Sequence, residues 1–374
     1  MVRRLLKDFR FGVIPVPGRL IAIIFLVSLF FLPLLITTPF YLNMFIYMNI
    51  FVIFAVSWDL LSGYSGQLNF GHALFFGVAA YTSALLNKYL GWQPWATIPL
   101  SVLAAVAAGV LTCFPALRLR GPYLALLTLA FPLMLLGIVL ALKDIAGGEY
   151  GIPRLPPLAA TATQEYYIVL AVTIVSVLIM WKLTDAGSKY IRTGLIFHAI
   201  REDEIAARAT GINSLRYKIL AFAIGGLFAG ISGALYAHVA TSVNVYVLSL
   251  STSFQAVIWV VFGGIVSIYG AVVGVYLLYP LIYLSGDITR FFANAYAAAV
   301  DNHSAVLAEF LRIMQLIAGH SLIIMAVLVI VVLLFMPEGL AVWIRDKIER
   351  ECPRCKLSNA AWRRECRACG ASLH

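Results

Sequence analysis

The chain has 374 residues, of which 62% are hydrophobic and only 12% charged. A soluble domain is about half apolar and about a quarter charged, so this composition excludes an ordinary soluble enzyme and places the chain among all-α polytopic membrane proteins. The formal net charge of +10 suits nucleic acid in principle, but a membrane protein collects Lys and Arg in its cytoplasmic loops, and no nucleic-acid partner is expected.

Residues 1–19, within "MVRRLLKDFRFGVIPVPGRL", read as a basic cytoplasmic segment. The apolar run that follows, Leu20–Ile36, is long for a signal core and lacks a small-residue cleavage site, so it reads as a first span. A spanning helix needs ~20 mainly apolar residues, because the bilayer satisfies no backbone group. Further candidates in chain order are Tyr41–Leu61, Phe70–Leu86, Thr97–Leu117, Tyr123–Leu142, Tyr166–Lys182, Lys218–His238, Phe254–Ile268, Tyr269–Leu284 and Ser321–Phe335. The eighth and ninth of these ten are short enough to be one re-entrant hairpin. With the N-terminus in the cytoplasm, 22 of the 27 Lys and Arg residues fall on the inner side and 5 on the outer. The positive-inside rule therefore favours an even count, with both termini cytoplasmic.

The stretch "LLSGYSGQLNFGHALFFGVAA" from Leu60 is unusual for a hydrophobic chain. Gly63, Gly66 and Gly71 permit a broken or closely packed helix, while Gln67, Asn69 and His72 bring hydrogen-bonding groups to that depth. Unwound backbone there must be buried in protein or face a watery pathway. Tight packing with polar cross-links and pathway lining are both open readings. Asp59 is the one acidic candidate within the spans, which argues against ion coupling. No nucleophile–base pair shares a surface, so the chain is not expected to be an enzyme. His238 and His320 read as polar residues at helix ends, and Cys113 as a packed small residue.

The long inner loop 183–217 carries Leu195, Ile196, Ala199, Ile200 and Ala206 at helical spacing, with Arg201, Glu202, Asp203, Glu204 and Arg208 between them. One amphipathic helix over Leu195–Ala209, stopped by Gly211, is predicted. A lipid-surface anchor usually has a basic polar face; three acids here favour docking of a protein. Further on, "VFGGIVSIYGAVVG" suits a tight inner turn, and "FFANAYAAAV" and "AVLAEFLRIMQLI" read as amphipathic helices on the outer surface.

The tail, residues 345–374, holds Cys352, Cys355, Cys366 and Cys369 as two CxxC pairs. Four thiolates meet the tetrahedral demand of Zn²⁺, and a reducing cytoplasm disfavours disulfides. The spacing, with Asn359 between the pairs, also resembles the zinc-ribbon finger of the Ran-binding type, although its leading Trp is absent. Arg354, Lys356, Arg363, Arg364 and Arg367 make this ribbon basic, and an assembly or anchoring module is the expected role.

"EDEIAARATGI" resembles the EAA-type loop of ABC importer permeases, with Glu204, Ala206, Ala207 and Gly211 as matching positions. Together with "LLSGYSGQLNFGHALFFGVAAYTSALL", "RGPYLALLTLAF", "AGGEYGIP" and "FMPEGLAVWI", it makes residues 20–344 similar to the permease family of branched-chain amino acid importers. The resemblance implies a permease domain in the plasma membrane, paired with a second related permease. It also implies two cytoplasmic ABC ATPases and an extracellular solute-binding protein as partners. The loop would be the ATPase-coupling element, with Arg201 and Glu202 beside the matching positions. The chain has no GxxxxGK[ST] phosphate loop, so ATP hydrolysis is expected in the partners. Branched-chain or similar apolar amino acids are the expected substrate. Urea or short amides, or a non-transporting scaffold displaying the ribbon, are the alternatives. Thr128, Gly226 and Gly230 join the Gly66–His72 segment as pathway candidates. Ala146 and Glu149 depart from the Thr and the Asp or Asn expected in relatives, which puts the outer loop's match in doubt.

Overall fold

The computed structural model describes residues 17–36, 38–116, 119, 121–185, 192–301, 305–352, 358–366 and 369–372. Most of the predicted N-terminal segment and the predicted ligand Cys355 lie outside these residues. Helix α1 spans Pro17–Leu35 and α2 spans Pro39–Trp58, with proline in the first turn where its missing N–H costs nothing. The backbone of α2 then widens into a π-helical turn over Asp59–Tyr64 and leaves helical geometry until α3, Ala73–Leu90. Gly91, at φ +66°, closes α3 in the left-handed conformation that glycine tolerates. Helices α4 (Pro94–Ala116), α5 (Pro122–Ala141) and α6 (Ala162–Thr184) follow.

The predicted single helix over Leu195–Ala209 is two helices. α7 covers Thr193–Glu202 and α8 covers Glu204–Ala209. The break falls at Asp203, whose extended backbone lets its carboxylate accept from the amides of Ile205 (2.8 Å) and Ala206 (3.0 Å). An aspartate in that role starts a new helix better than it continues an old one. Gly211, at φ +87°, ends α8 as expected. Helix α9 (Ser214–Val239) is capped by the Asn213 side chain, α10 (Leu250–Gly263) by Ser249 and α11 (Ile268–Tyr283) by Ser267. Then come α12 (Ser285–Asp301), α13 (Ala305–Gly319), α14 (Ser321–Phe335) and α15 (Leu340–Ile348). Short antiparallel ladders join β1 (Ile152–Pro153) to β2 (Ser242–Val243), and β3 (Glu349–Glu351) to β4 (Ser358–Ala360).

Each of the ten predicted spans falls largely on a helix, but among the described residues length and apolarity single out six: Pro39–Tyr64, Pro94–Pro115, Pro122–Ala141, Ala162–Thr184, Ser214–Val239 and Ile323–Ile348. α10 and α11 pass that test only together, bent by 111° at the turn between them, so the eighth and ninth segments form one broken unit. Leu20–Leu35 is apolar but shorter.

Helix α2 is the axis of the bundle. Its Ile46, Ile50, Ile53, Phe54, Ala55 and Val56 are all fully buried, because α6, α9, α10 and α11 pack around it. A helix that is apolar on every side must be enclosed by others. α9 packs just as closely on α3 and α4 through glycine. A methyl at Gly226 would stand 2.8 Å from the Ala105 carbonyl oxygen, and one at Gly233 would collide with the Phe76 carbonyl. Small residues let these backbones approach where lipid supplies no hydrophobic drive.

Candidate functional site

The break after α2 is held by side chains that face protein. His72 is fully buried and its Nε2 lies 2.8 Å from Ser57 Oγ, which itself donates to the Phe54 carbonyl. On the other ring nitrogen, the Asn69 amide donates to Nδ1 at 3.4 Å. Asn69 also accepts from Gly71 N through Oδ1 (2.8 Å), while its carbonyl accepts from the Trp58 indole (2.6 Å). Gln67 is buried and donates to the Ser65 carbonyl at 3.2 Å. Unwound backbone is tied down in the same way. The Phe70 amide donates to Thr128 Oγ1 (3.1 Å) and the Ala73 amide to Ser253 Oγ (3.0 Å). Gly71 lies against the Thr128 carbonyl so closely that any side chain there would collide with it. Thr128 and the Gly66–His72 segment, read separately from the sequence, are thus one contact. Gly226 and Gly230 stand apart from it, against Ala105 of α4.

At the same end of α2, Asp59 is fully buried and accepts from the amides of Val266 (2.8 Å) and Ser267 (3.0 Å), one per carboxylate oxygen. Those two residues form the turn between α10 and α11. Val266 holds φ +61°, a conformation that a β-branched side chain rarely adopts. Gly63 leaves room for the carboxylate, since a methyl there would overlap Asp59 Oδ1.

Gly66 turns the chain at φ +70° directly onto Arg201, whose Cα lies 3.2 Å from where a side chain would begin. The break and the α7–α8 loop, the two segments that the sequence singles out, therefore meet. His198 of α7 packs edge-on against Tyr64, and burial with nearby Arg201 pushes its imidazole pKa down. Glu204 turns inward. It accepts from Lys218 Nζ (2.8 Å), Ser214 Oγ (3.0 Å) and Arg208 Nη2 (3.1 Å). Burial opposes its ionisation, but the hydrogen bonds and charges of Lys218, Ser214 and Arg208 outweigh that and hold the carboxyl below its ordinary value. Phe197, Ile200 and Ala207 are buried beneath the loop, whereas Leu195, Ile205, Ala206 and Gly211, together with Arg201 and Glu202, are exposed.

On the opposite end of α9, His238 is fully buried. Its Nδ1–H donates to the Pro156 carbonyl (2.9 Å), and Nε2 lies 2.8 Å from the Ser83 hydroxyl. This is a structural cross-link at a helix end. In the tail, the sulfurs of Cys352, Cys366 and Cys369 lie within 4.8 Å of one another, and Asn359 Nδ2 approaches Cys366 Sγ at 3.6 Å. Three cysteines are thus placed to hold a metal.

Sequence reasoning missed Ser57, Ser253 and also Ser62, whose hydroxyl accepts from the Asn69 amide at 3.2 Å, because serine inside an apolar run has no periodic signature. It also missed Ser214 and Lys218 as the partners of Glu204. They stand one helical turn apart at the start of α9, and that spacing on one face is the signal that would find them.

Residues 40–300 match a family model described as the permease component of branched-chain amino acid transport systems. The chain is 31% identical over 256 residues to the high-affinity branched-chain amino acid transport system permease protein LivM of Salmonella typhimurium, covering 61% of this chain and 59% of that protein. A probable branched-chain amino acid permease LivM of Methanocaldococcus jannaschii is 26% identical over 56% of this chain and 69% of its own length. A guanosine ABC transporter permease, NupQ of Bacillus subtilis, is 26% identical over 48% of this chain and 60% of its own. The chain thus spans about three fifths of the length of the first curated relatives it matches. No solved structure matches.

Proposed function

Because the chain belongs to the family of permease components of branched-chain amino acid transport systems, we propose that it is a permease subunit of an ABC importer. It admits branched-chain or similar apolar amino acids across the plasma membrane, with both termini in the cytoplasm. Its partners are a second related permease, two ABC ATPases that hydrolyse ATP, and an extracellular solute-binding protein.

One observation carries this reading. The α7–α8 loop is fastened to α9 through Glu204 and Lys218, and to the break after α2 through Arg201 and Gly66. Its outer face, with Ile205 68% exposed, is left for a partner. A push on that face is delivered to a spanning helix and to the unwound segment together, which is what a coupling element has to do. The test is ATP-driven leucine uptake by the purified complex carrying Ile205→Arg. Loss of uptake and of ATPase docking, with an unchanged thermal midpoint, is expected; full uptake would overturn the reading.

The tail is a zinc ribbon in this proposal. Cys352 Sγ lies 3.5 Å from Cys369 Sγ, close to the edge of roughly 3.8 Å that a tetrahedral Zn²⁺–thiolate site requires. Cys366 and Cys355 complete the set. The Asn359 amide beside the Cys366 sulfur is the kind of outer hydrogen bond that orients a ligand. The ion would cross-link the hairpin, with no chemistry of its own.

A further inference from the structure

Helices α2, α3, α9, α10 and α11 each contribute rings to a cluster centred on Phe51. Its centroid lies 5.1 Å from Trp259, 5.2 Å from Tyr279, and 6.2 Å from both Tyr236 and Phe76. One turn earlier on α2, Tyr47 lies 5.8 Å from Tyr236 and 6.5 Å from Tyr283. All of this lies in the half of the α2 span that begins at Pro39, away from Arg201. Phe54 links it to the break, touching Phe76 at 5.1 Å on one side and His72 at 4.9 Å on the other.

Packing alone does not account for the polar atoms. Trp259 is fully buried, yet its indole N–H has no acceptor among the described residues. The hydroxyls of Tyr47, Tyr236 and Tyr279 also form no hydrogen bond among the described residues, but these three side chains are only partly buried, so their hydroxyls stay open to a ligand where the indole is sealed. Nearby tyrosines behave differently: Tyr276 donates to Asn49 Oδ1 (2.8 Å) and Tyr283 to the Phe40 carbonyl (3.3 Å). Phenylalanine would fill the same volume without leaving a hydroxyl unpaired. Phe51, Phe76 and Trp259 are buried and the three tyrosines half-buried among five helices, and lipid could not satisfy these polar groups.

We propose that this cluster is a substrate subsite of the permease, shaped for a zwitterionic amino acid with an apolar side chain. The tyrosine and tryptophan faces take the ammonium group. The indole N–H and the free hydroxyls donate to the carboxylate. Phe51 and Phe76 receive the hydrocarbon side chain, and the ring contact through Phe54 leads from the subsite to the break at His72. The assignment rests on the permease reading.

The test uses the full transporter, purified with its partner subunits into proteoliposomes, and ATP-driven leucine uptake at saturating binding protein. Tyr47→Phe, Tyr236→Phe and Tyr279→Phe keep the rings and remove single donors, whereas Trp259→Phe removes the indole N–H together with ring volume. Each is expected to lower maximal uptake by about fivefold to tenfold, the three tyrosine variants with an unchanged thermal midpoint and Trp259→Phe with a lowered one, because it leaves a cavity. Tyr276→Phe, which breaks a bond already made, should instead lower the midpoint and spare uptake. Unaltered uptake in all four variants, from a complex that does transport leucine, overturns the subsite and leaves the permease reading standing. Failure of the unaltered complex to take up leucine overturns the amino acid assignment. Guanosine competing better than leucine makes the rings a base-stacking site and overturns the zwitterion.

Discussion

The ammonium of Lys218 lies 2.8 Å from the carboxylate of Glu204 and joins the α8 loop to the first turn of α9. Both side chains are largely shielded, at 9% and 16% exposure, so this pair differs from a solvated surface bridge. Glu204→Ala strands the Lys218 charge and should cost about 2 kcal/mol, measured by thermal unfolding of the purified complex. Lys218→Met alone should cost less, and the double variant should recover part of the loss. Additive losses would mean that the two residues do not act as a pair.

The same carboxyl sets a pH limit on the loop. Glu204 titrates below its ordinary value of 4.5, so its contribution is fully present above that pH and is lost as pH falls through the depressed value. A spin label on Ile205→Cys should stay restricted down to pH 4.5 and become mobile only in stronger acid. Loosening near neutral pH would point to another group. His198 is not that group, since its own pKa is pushed down.

Asp59 supports a second joint. It meets Val266 and Ser267 across more than two hundred residues of sequence, and the turn it holds includes the positive φ of Val266. Asp59→Asn leaves an amide –NH₂ facing a backbone N–H and should destabilise the protein by about 3 kcal/mol. Gly63→Ala should do similar damage by pushing into that carboxylate. Thermal midpoints would read both, and a neutral Asp59→Asn would refute the role assigned to the turn.

These ties mark what the sequence could and could not reveal. The apolar runs and the glycines at 63, 66 and 71 located the spans and the break, because both follow from local chain chemistry. The amphipathic pattern located the α7–α8 loop but not its division, since Asp203 looks like one more polar residue until its carboxylate is seen capping α8. Gly226 and Gly230 read as pathway candidates from the sequence; only the fold places Ala105 against them. The amides that Asp59 accepts from lie in a remote turn, and the Phe51 ring beside Trp259 comes from a remote helix; no periodicity encodes either.

The tail gives the last prediction, because its root is attached to the membrane helices. Glu349, at the start of β3, accepts from the Gly18 amide at 2.8 Å, and Gly339, just before α15, packs on Gly264 in the turn between α10 and α11. The hairpin β3–β4 has only three residue pairs, and a two-stranded ribbon of that size is at best marginally stable in water without a cross-link. Metal is therefore expected to hold the ribbon together but not the bundle. One Zn²⁺ per chain should be found by elemental analysis, and Cys366→Ser should lose it. Removing the metal with a chelator should open the exposed Trp362–Arg364 stretch to trypsin while leaving the thermal midpoint of the membrane core where it was. Full zinc retention in Cys366→Ser, or trypsin cleavage that ignores the chelator, would show that the cysteines do not form the proposed site.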